Sequence, residues 1–360
     1  MRLKKVAMWI LFILIFLIIL LVVLVRVVTD HPAQVQTEAI TCPDQAPVLK
    51  SGQSLKALTY NVQYMAGKNY VFFYDVPNFD GPDERPSPED ITKTFSEVAR
   101  IIQDENPDVI LLQEVDDGSK RTDYEDQLAR LLPLLPGEYV CHTSAFYMKA
   151  KFIPHPRIMG ALGMKLAIIS KYKISQATRY QLPMMRTDPL TRQFNYGRGL
   201  FEVRLPVEGG QDLVVLNTHL DAFAQGDDTM QRQVNQVDTH LDSLTQAGNP
   251  WLIGGDFNLL PPGQFDQIPD DQKFYYNPET EGKVLYDKYQ AVPSLADLNS
   301  ADYQKWLTYF PNAPGHTGPT QTLDYFFVAD NVQLTNSYVR QHDTLSISDH
   351  MPVVVQFQLP

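Results

Sequence analysis

The chain has 360 residues, with 30 Lys and Arg against 42 Asp and Glu, and a formal net charge of −12. Hydrophobic residues make up 44% and aromatic residues 11%, which excludes a disordered chain. Two cysteines exclude a disulfide-rich scaffold and a four-cysteine zinc site. The charge is uneven: residues 1–28 hold four bases (Arg2, Lys4, Lys5, Arg26) and no acid, which leaves the rest at −16. So acidic a body is a poor general nucleic-acid binder, because phosphate contacts need clustered Lys and Arg. It is long enough for one large core or two small ones.

Val6–Val25 carries no charged or strongly polar side chain over 20 residues. As a helix it measures roughly 30 Å, the thickness of a bilayer core. A cleaved secretion signal has a shorter apolar stretch and a small-x-small site, so an uncleaved anchor over 1–28 is the expectation. Arg2, Lys4 and Lys5 precede the span and keep the N-terminus cytoplasmic. The acidic body then lies outside the cytoplasm, in the periplasm if the source is bacterial. There a Cys42–Cys141 disulfide is permitted, though two free thiols fit equally. Residues 29–54 contain Pro32, Pro43 and Pro47 and little periodicity, and read as a linker to a domain over 55–360.

In the body, Leu55–Tyr60, Val109–Gln113, Leu166–Ser170, Leu200–Leu205, Leu213–Asn217, Trp251–Gly254, Leu323–Val328 and Val353–Phe357 read as strands. Several are continuously apolar, as in sheets covered on both faces. Ser87-Pro88-Glu89-Asp90 is a helix start, followed by Ile91, Phe95, Val98 and Ile102 at helical spacing. A second helix is expected over Thr229–Gln246, and a third near Asp123. Gln63–Arg85, rich in aromatics, and Leu260–Thr322 lack periodicity. They are either functional loops or surface insertions.

Following each strand to its end uncovers a pattern. Asn61, Glu114 and His219 close their strands. Asp256 and Asn258 follow Trp-Leu-Ile-Gly-Gly, Asp324 opens a strand, and Asp349-His350 precede the last one. A single strand-end carboxylate is usually a turn or cap residue. The joint pattern is different, because buried unpaired carboxylates are costly and usually meet a metal or a reacting group.

The set Asn61, Gln113-Glu114, Thr218-His219-Leu220, Gly255-Asp256-Phe257-Asn258, Leu323-Asp324-Tyr325 and Ser348-Asp349-His350 resembles the endonuclease/exonuclease/phosphatase superfamily of deoxyribonuclease-like and sphingomyelinase-like phosphoesterases. The resemblance runs from about Leu55 to the C-terminus. It implies an α/β fold: a four-layer sandwich of two face-to-face mixed sheets flanked by helices. It also implies hydrolysis of a phosphate ester by activated water, with Mg²⁺ or Mn²⁺ in an oxygen cage. By resemblance Glu114 is the main metal ligand, with Asn61 and Asp349 beside it. Asp256 orients or deprotonates water, Asn258 positions it, Asp324 pairs with His350, and His219 donates to a phosphoryl oxygen. Arg198 is either a phosphate contact or an ordinary surface arginine. The general base is either Asp256 or His350. Many members carry an acid just after the strand-end asparagine, where this chain has Val62, Gln63 and Tyr64.

The membrane segment favours a phospholipid or related head group as substrate, since an anchor raises its effective concentration. The aromatic residues Tyr70–Phe79 are candidates to meet the interface. The alternatives are an extracytoplasmic nuclease and a non-catalytic membrane-attached binding module. Lys149, Lys151, Arg157, Lys165, Lys171 and Lys173 form the one loose basic cluster available to nucleic acid.

Overall fold

The computed structural model describes residues 2–76, 78–222 and 226–360. Two seven-stranded mixed sheets carry the fold. In order across the first lie Gln333–Val339, Val353–Gln358, Ser54–Asn61, Val109–Asp116, Gly160–Ser170, Cys141–Ile153 and Ile40–Thr41. Across the second lie Val35–Thr37, Gln176–Gln181, Gly199–Leu205, Leu213–His219, Trp251–Asp256, Asp324–Val328 and Gln290–Val292. Each sheet has one parallel pair near its middle: Ser54–Asn61 with Val109–Asp116, and Leu213–His219 with Trp251–Asp256. A parallel pair needs a crossover, and a helix supplies each, Pro88–Glu105 and Thr229–Gln246. The architecture is thus two strand–helix–strand units, sheet against sheet, with helices outside.

The strands are apolar on both faces because both faces are covered. Ala57, Val109 and Leu111 join the core between the sheets. Their neighbours Leu58, Tyr60, Ile110 and Leu112 turn outward, onto Ile91, Phe95, Val98 and Ile102 of the first helix. Ser87 caps that helix by accepting from the Asp90 N–H at 3.1 Å, an interaction of about 1 kcal/mol. Asn106 ends it in a left-handed turn, at φ 48°. Between the sheets the apolar core is interrupted by two amides. Gln113 Nε2 donates to Asn217 Oδ1 at 2.7 Å, and Asn217 Nδ2 donates to the carbonyls of Leu112 and Ala167 at 3.0 Å each.

Several expectations are corrected. Residues 29–54 are not a free linker. Val35–Thr37 pairs at the edge of the second sheet, Ile40–Thr41 at the edge of the first, and Leu49–Lys50 with Val207–Glu208. Cys42 and Cys141 form a disulfide, and Leu49 is buried. The helix expected near Asp123 is displaced, because Asp123 and Tyr124 adopt φ 53° and 62°. A short helix starts instead at Gln127, capped by Asp126. The long strand Cys141–Ile153 and Gln333–Val339 are additions to the expected set. The N-terminal helix Arg2–Val28 leaves Lys4 to Leu24 exposed and is long and apolar enough to cross a membrane. A secretion signal meets the same test of length and composition.

Candidate active site

The two parallel pairs deliver their C-terminal ends to one place. Asn61 stands in register with Gln113, immediately before Glu114. His219 stands in register with Asp256, which in turn faces Asp324. Open α/β sheets place ligands at such carboxyl ends. Local devices aim the side chains. The strand register shifts between Leu112 and Val115, and Glu114 takes φ 57°, as a bulge that redirects its carboxylate. Gly255 lies so close to its neighbour that a Cβ there would collide with the Thr218 carbonyl. Ser348 Oγ donates to the Asn61 carbonyl at 2.8 Å, which ties the turn bearing Asp349 and His350 to the first sheet.

Asp256 Oδ2 is the hub. Asn61 Nδ2 lies 3.0 Å from it, His219 Nε2 3.3 Å and His350 Nε2 3.5 Å. The other carboxylate oxygen of Asp256 accepts from the Asn258 N–H at 2.9 Å. Asn258 Nδ2 donates to the Leu220 carbonyl at 3.1 Å, which holds the loop. His350 Nδ1 pairs with Asp324 Oδ2 at 2.7 Å. Thr308 Oγ1 accepts from the Asp324 N–H at 3.0 Å and so fixes the start of that strand.

Burial shapes the charges here. Burial alone would depress the His350 pKa, but Asp324, Asp256 and Asp349 outweigh it and lift the ring to about 10. Burial and the charge of Asp324 raise Asp256 to about 7, against the opposing pull of His350. His219 is pushed well down by burial, then by Arg198 and His350, so its ring is neutral. Burial, then the like charge of Asp349, raises Glu114.

Two sets of side chains fit a cation differently. Asp256, Asp324 and His350 lie within 4.8 Å of one another, but His350 Nδ1 is already bound to Asp324. Glu114 and Asp349 repel each other with hard oxygen donors, which a divalent cation neutralises. Asn61 turns its amide nitrogen to Glu114 at 3.2 Å, while its oxygen accepts from the Gln63 N–H at 3.0 Å. In this arrangement it links the acids by donation.

The cavity over these groups measures about 190 Å³. Arg198 lines it and is no surface arginine: it is buried, held by Asp221 at 3.2 Å and placed over the Tyr147 and Tyr196 rings. The structure adds residues that sequence reasoning missed. Arg121 grips Asp116 with two bonds of 2.9 Å and stacks on Tyr64. Asp75 lines the cavity, raised to about 7 by burial and by Asp349. An acid thus returns to the site from the loop, since none follows Asn61 directly. Tyr74 and Tyr196 also line the cavity, as do Tyr276 and Tyr309 from the second aperiodic stretch. Of the aromatics of Gln63–Arg85, Tyr64 and Tyr74 line the cavity, and Tyr70 and Tyr74 stack on buried Phe72. Of the named aromatics there only Phe79 is exposed, and Pro77 lies outside the described residues. The loose basic cluster is partly neutralised. Arg157 pairs with Glu84 at 2.7 Å, Lys171 with Glu138 at 2.5 Å, and Lys165 with Asp117.

Comparison with known proteins agrees with this geometry. The model of the Endonuclease/Exonuclease/phosphatase family matches residues 58–350. An endonuclease/exonuclease/phosphatase from Beutenbergia cavernae is similar in fold, with TM-score 0.57 and 22% identity over 85% of this chain and 72% of that one. A family protein from Leptotrichia buccalis gives TM-score 0.55 and 18% identity over 84% and 99% of the two chains. The human Nocturnin catalytic domain, solved with a bound sulfate anion, gives 0.50 and 17% over 89% and 96%. No curated protein matches the chain by sequence. Strand ends from two sheets converge on one polar cavity, and the matched span runs from Leu58 through His350, so the chain belongs to the endonuclease/exonuclease/phosphatase family.

Proposed function

We propose that the protein is a divalent-metal-dependent phosphodiesterase acting on a phospholipid or related head group beside a membrane. The observation that carries the chemistry is the Asp256 carboxylate, ringed by Asn61, His219 and His350 within 3.5 Å. Glu114 and Asp349 would hold Mg²⁺ or Mn²⁺, with Asn61 beside them. A bound cation supplies charge neutralisation at the phosphate and a more acidic water.

The chain's own residues do the rest. Asp256 orients the attacking water and accepts its proton, with Asn258 fixing the carboxylate through its N–H. The water oxygen bonds to phosphorus, the ester P–O bond breaks, and the departing alcohol oxygen takes up a proton from the charged His350 ring. Asp324 holds His350 by Nδ1, so Nε2 is the nitrogen presented to the reacting phosphate. His219 and Arg198 face the phosphoryl oxygens where charge develops.

The lipid reading rests on the first 30 residues. The exposed apolar helix ends at Val28, and Thr29 already pairs with Ala150 of the body. An anchored body would therefore sit directly at the bilayer. Lys4 and Lys5 before the span favour a cytoplasmic N-terminus, and the disulfide suits an oxidising compartment outside. The test is a substrate panel with the full chain in detergent, with Mg²⁺, Mn²⁺ or EDTA. Phospholipids, single- and double-stranded DNA and inositol phosphates are compared. Metal-dependent release of head group supports the proposal. Release of acid-soluble nucleotides without lipid turnover identifies a nuclease instead. No turnover of any substrate leaves only a binding module.

A further inference from the structure

A second cavity, of about 350 Å³, opens where the chain leaves the apolar helix. Asp30, His31, Lys149, Arg179, Gln181 and Arg192 line it. Its wall towards the catalytic cavity is Tyr147, whose ring centroid lies 5.4 Å from that of His219 and 4.9 Å from the Arg198 guanidinium carbon. The two cavities are neighbours that do not share their charged residues.

Arg179 is the unusual member. It is 1% exposed. Its Nε donates to the Phe146 carbonyl at 2.8 Å, and its Nη2 to Gln181 Oε1 at 2.9 Å and the Gly197 carbonyl at 2.5 Å. Its Nη1 is buried without any partner. Arg121 and Arg198 each have an acid, Asp116 and Asp221. Arg179 has none within ion-pair distance among the described residues; Glu38 and Asp30 act on it only from further away. A buried guanidinium without a counter-ion is costly and invites an anion. Lys149 and Arg192, exposed beside the cavity, also have no carboxylate within ion-pair distance among the described residues; Glu38 acts on Lys149 only from further away, and Lys149 rests on the Phe146 ring at 4.1 Å. Three unpaired cations against the one acid of the lining, Asp30, stand out in a body of net −16.

We infer that this cavity is an anion site for a phosphate group, separate from the catalytic cavity. Arg179 supplies fixed positive charge in its wall, and Lys149 and Arg192 make the outer contacts. Guanidinium groups match the oxygens of a phosphate. Asp30 and His31 follow the apolar helix within three residues, which sets the cavity at head-group level if the helix spans a bilayer. The phosphate then comes from an anionic phospholipid head group or from solution. The anion site itself does not rest on the hydrolase reading, and only its lipid source rests on the membrane reading.

The test is calorimetric titration of the full chain in zwitterionic detergent with EDTA. The background carries Arg198→Gln, to weaken anion binding in the catalytic cavity. The probes are dihexanoyl phosphatidylglycerol and inorganic phosphate. One molecule is expected to bind per chain, with roughly tenfold weaker affinity after Lys149→Gln with Arg192→Gln. Both substituted side chains are exposed, so loss of fold does not explain the change. Binding of the lipid alone identifies a head-group site, and binding of both probes identifies a general phosphate site. Either result supports the inference when the double variant weakens it. Absence of binding by both probes, or binding that the double variant leaves unchanged, overturns it. Hydrolysis of a soluble phosphodiester by Lys149→Gln/Arg192→Gln chains with Arg198 intact is expected to equal wild type. Catalytic failure is therefore read separately.

Discussion

Asp256 and His350 come from different sheets and meet with 3.5 Å between Oδ2 and Nε2. Asp256 ends a strand of one sheet, and His350 precedes the last strand of the other. The geometry of the candidate site is therefore a property of how the sheets face each other. The far side of His350 is fixed by Asp324, at 2.7 Å. Replacing that carboxylate by an amide, Asp324→Asn, keeps the shape and removes the charge. The expected result is a fall in kcat of about 10²-fold or more with unchanged circular dichroism. Wild-type kcat in this variant would show that the pair is only structural.

The Gln113–Asn217 bridge sets the distance between the sheets. Asn217→Leu leaves the carbonyls of Leu112 and Ala167 without these donors in a buried place. We expect a loss of about 3 kcal/mol, read from the urea midpoint. A loss below about 0.5 kcal/mol, inside the range of ordinary surface substitutions, contradicts this role.

Residues 29–54 strap both sheets, so they are expected to contribute to stability. The disulfide closes a separation of 99 residues, and Cys42→Ser is expected to cost about 2–4 kcal/mol. A chain starting at Leu55 should unfold at lower temperature than one starting at Asp30. Equal melting temperatures would restore the picture of a loose linker.

Acid stability follows from Asp343. Hydrogen bonds from Arg340 and then Arg100 hold its carboxyl well below the ordinary carboxylate range. A depressed folded value means stability present above the unfolded value of about 4 and lost as pH falls below it. Because the group is mostly exposed, Asp343→Asn is expected to cost only about 0.5–1 kcal/mol at pH 7. The difference should shrink below pH 4. A cost that grows as the pH falls would reverse the sign and refute the assignment.

Much of this was legible in the chain before folding. The eight expected strands exist because their apolar runs are buried on both faces, which is a local signal. Asn61, Glu114, His219, Asp256, Asn258, Asp324, Asp349 and His350 stand out because each is a polar residue beside one end of an apolar run. The straps Val35–Thr37 and Ile40–Thr41 did not, since two or three residues hold no period and their partners lie over 100 residues away. Asp75 and Arg121 were hidden for a related reason. Their places in the cavity depend on loop folding, and nothing in their neighbours' pattern aims them there. Arg179 lies in Gln176–Gln181, a strand outside the expected set, and only the folded structure shows that it has no acid within ion-pair distance among the described residues.

Hydrolysis of a soluble phosphodiester by the wild-type chain and by Glu114→Ala, with Mg²⁺ or Mn²⁺ and with EDTA, is the most direct measurement. Metal-dependent hydrolysis requires turnover with metal, none with EDTA, and a loss of at least about 10²-fold in Glu114→Ala at unchanged melting temperature. Wild-type turnover that survives EDTA, or a Glu114→Ala chain as active as wild type, would contradict it.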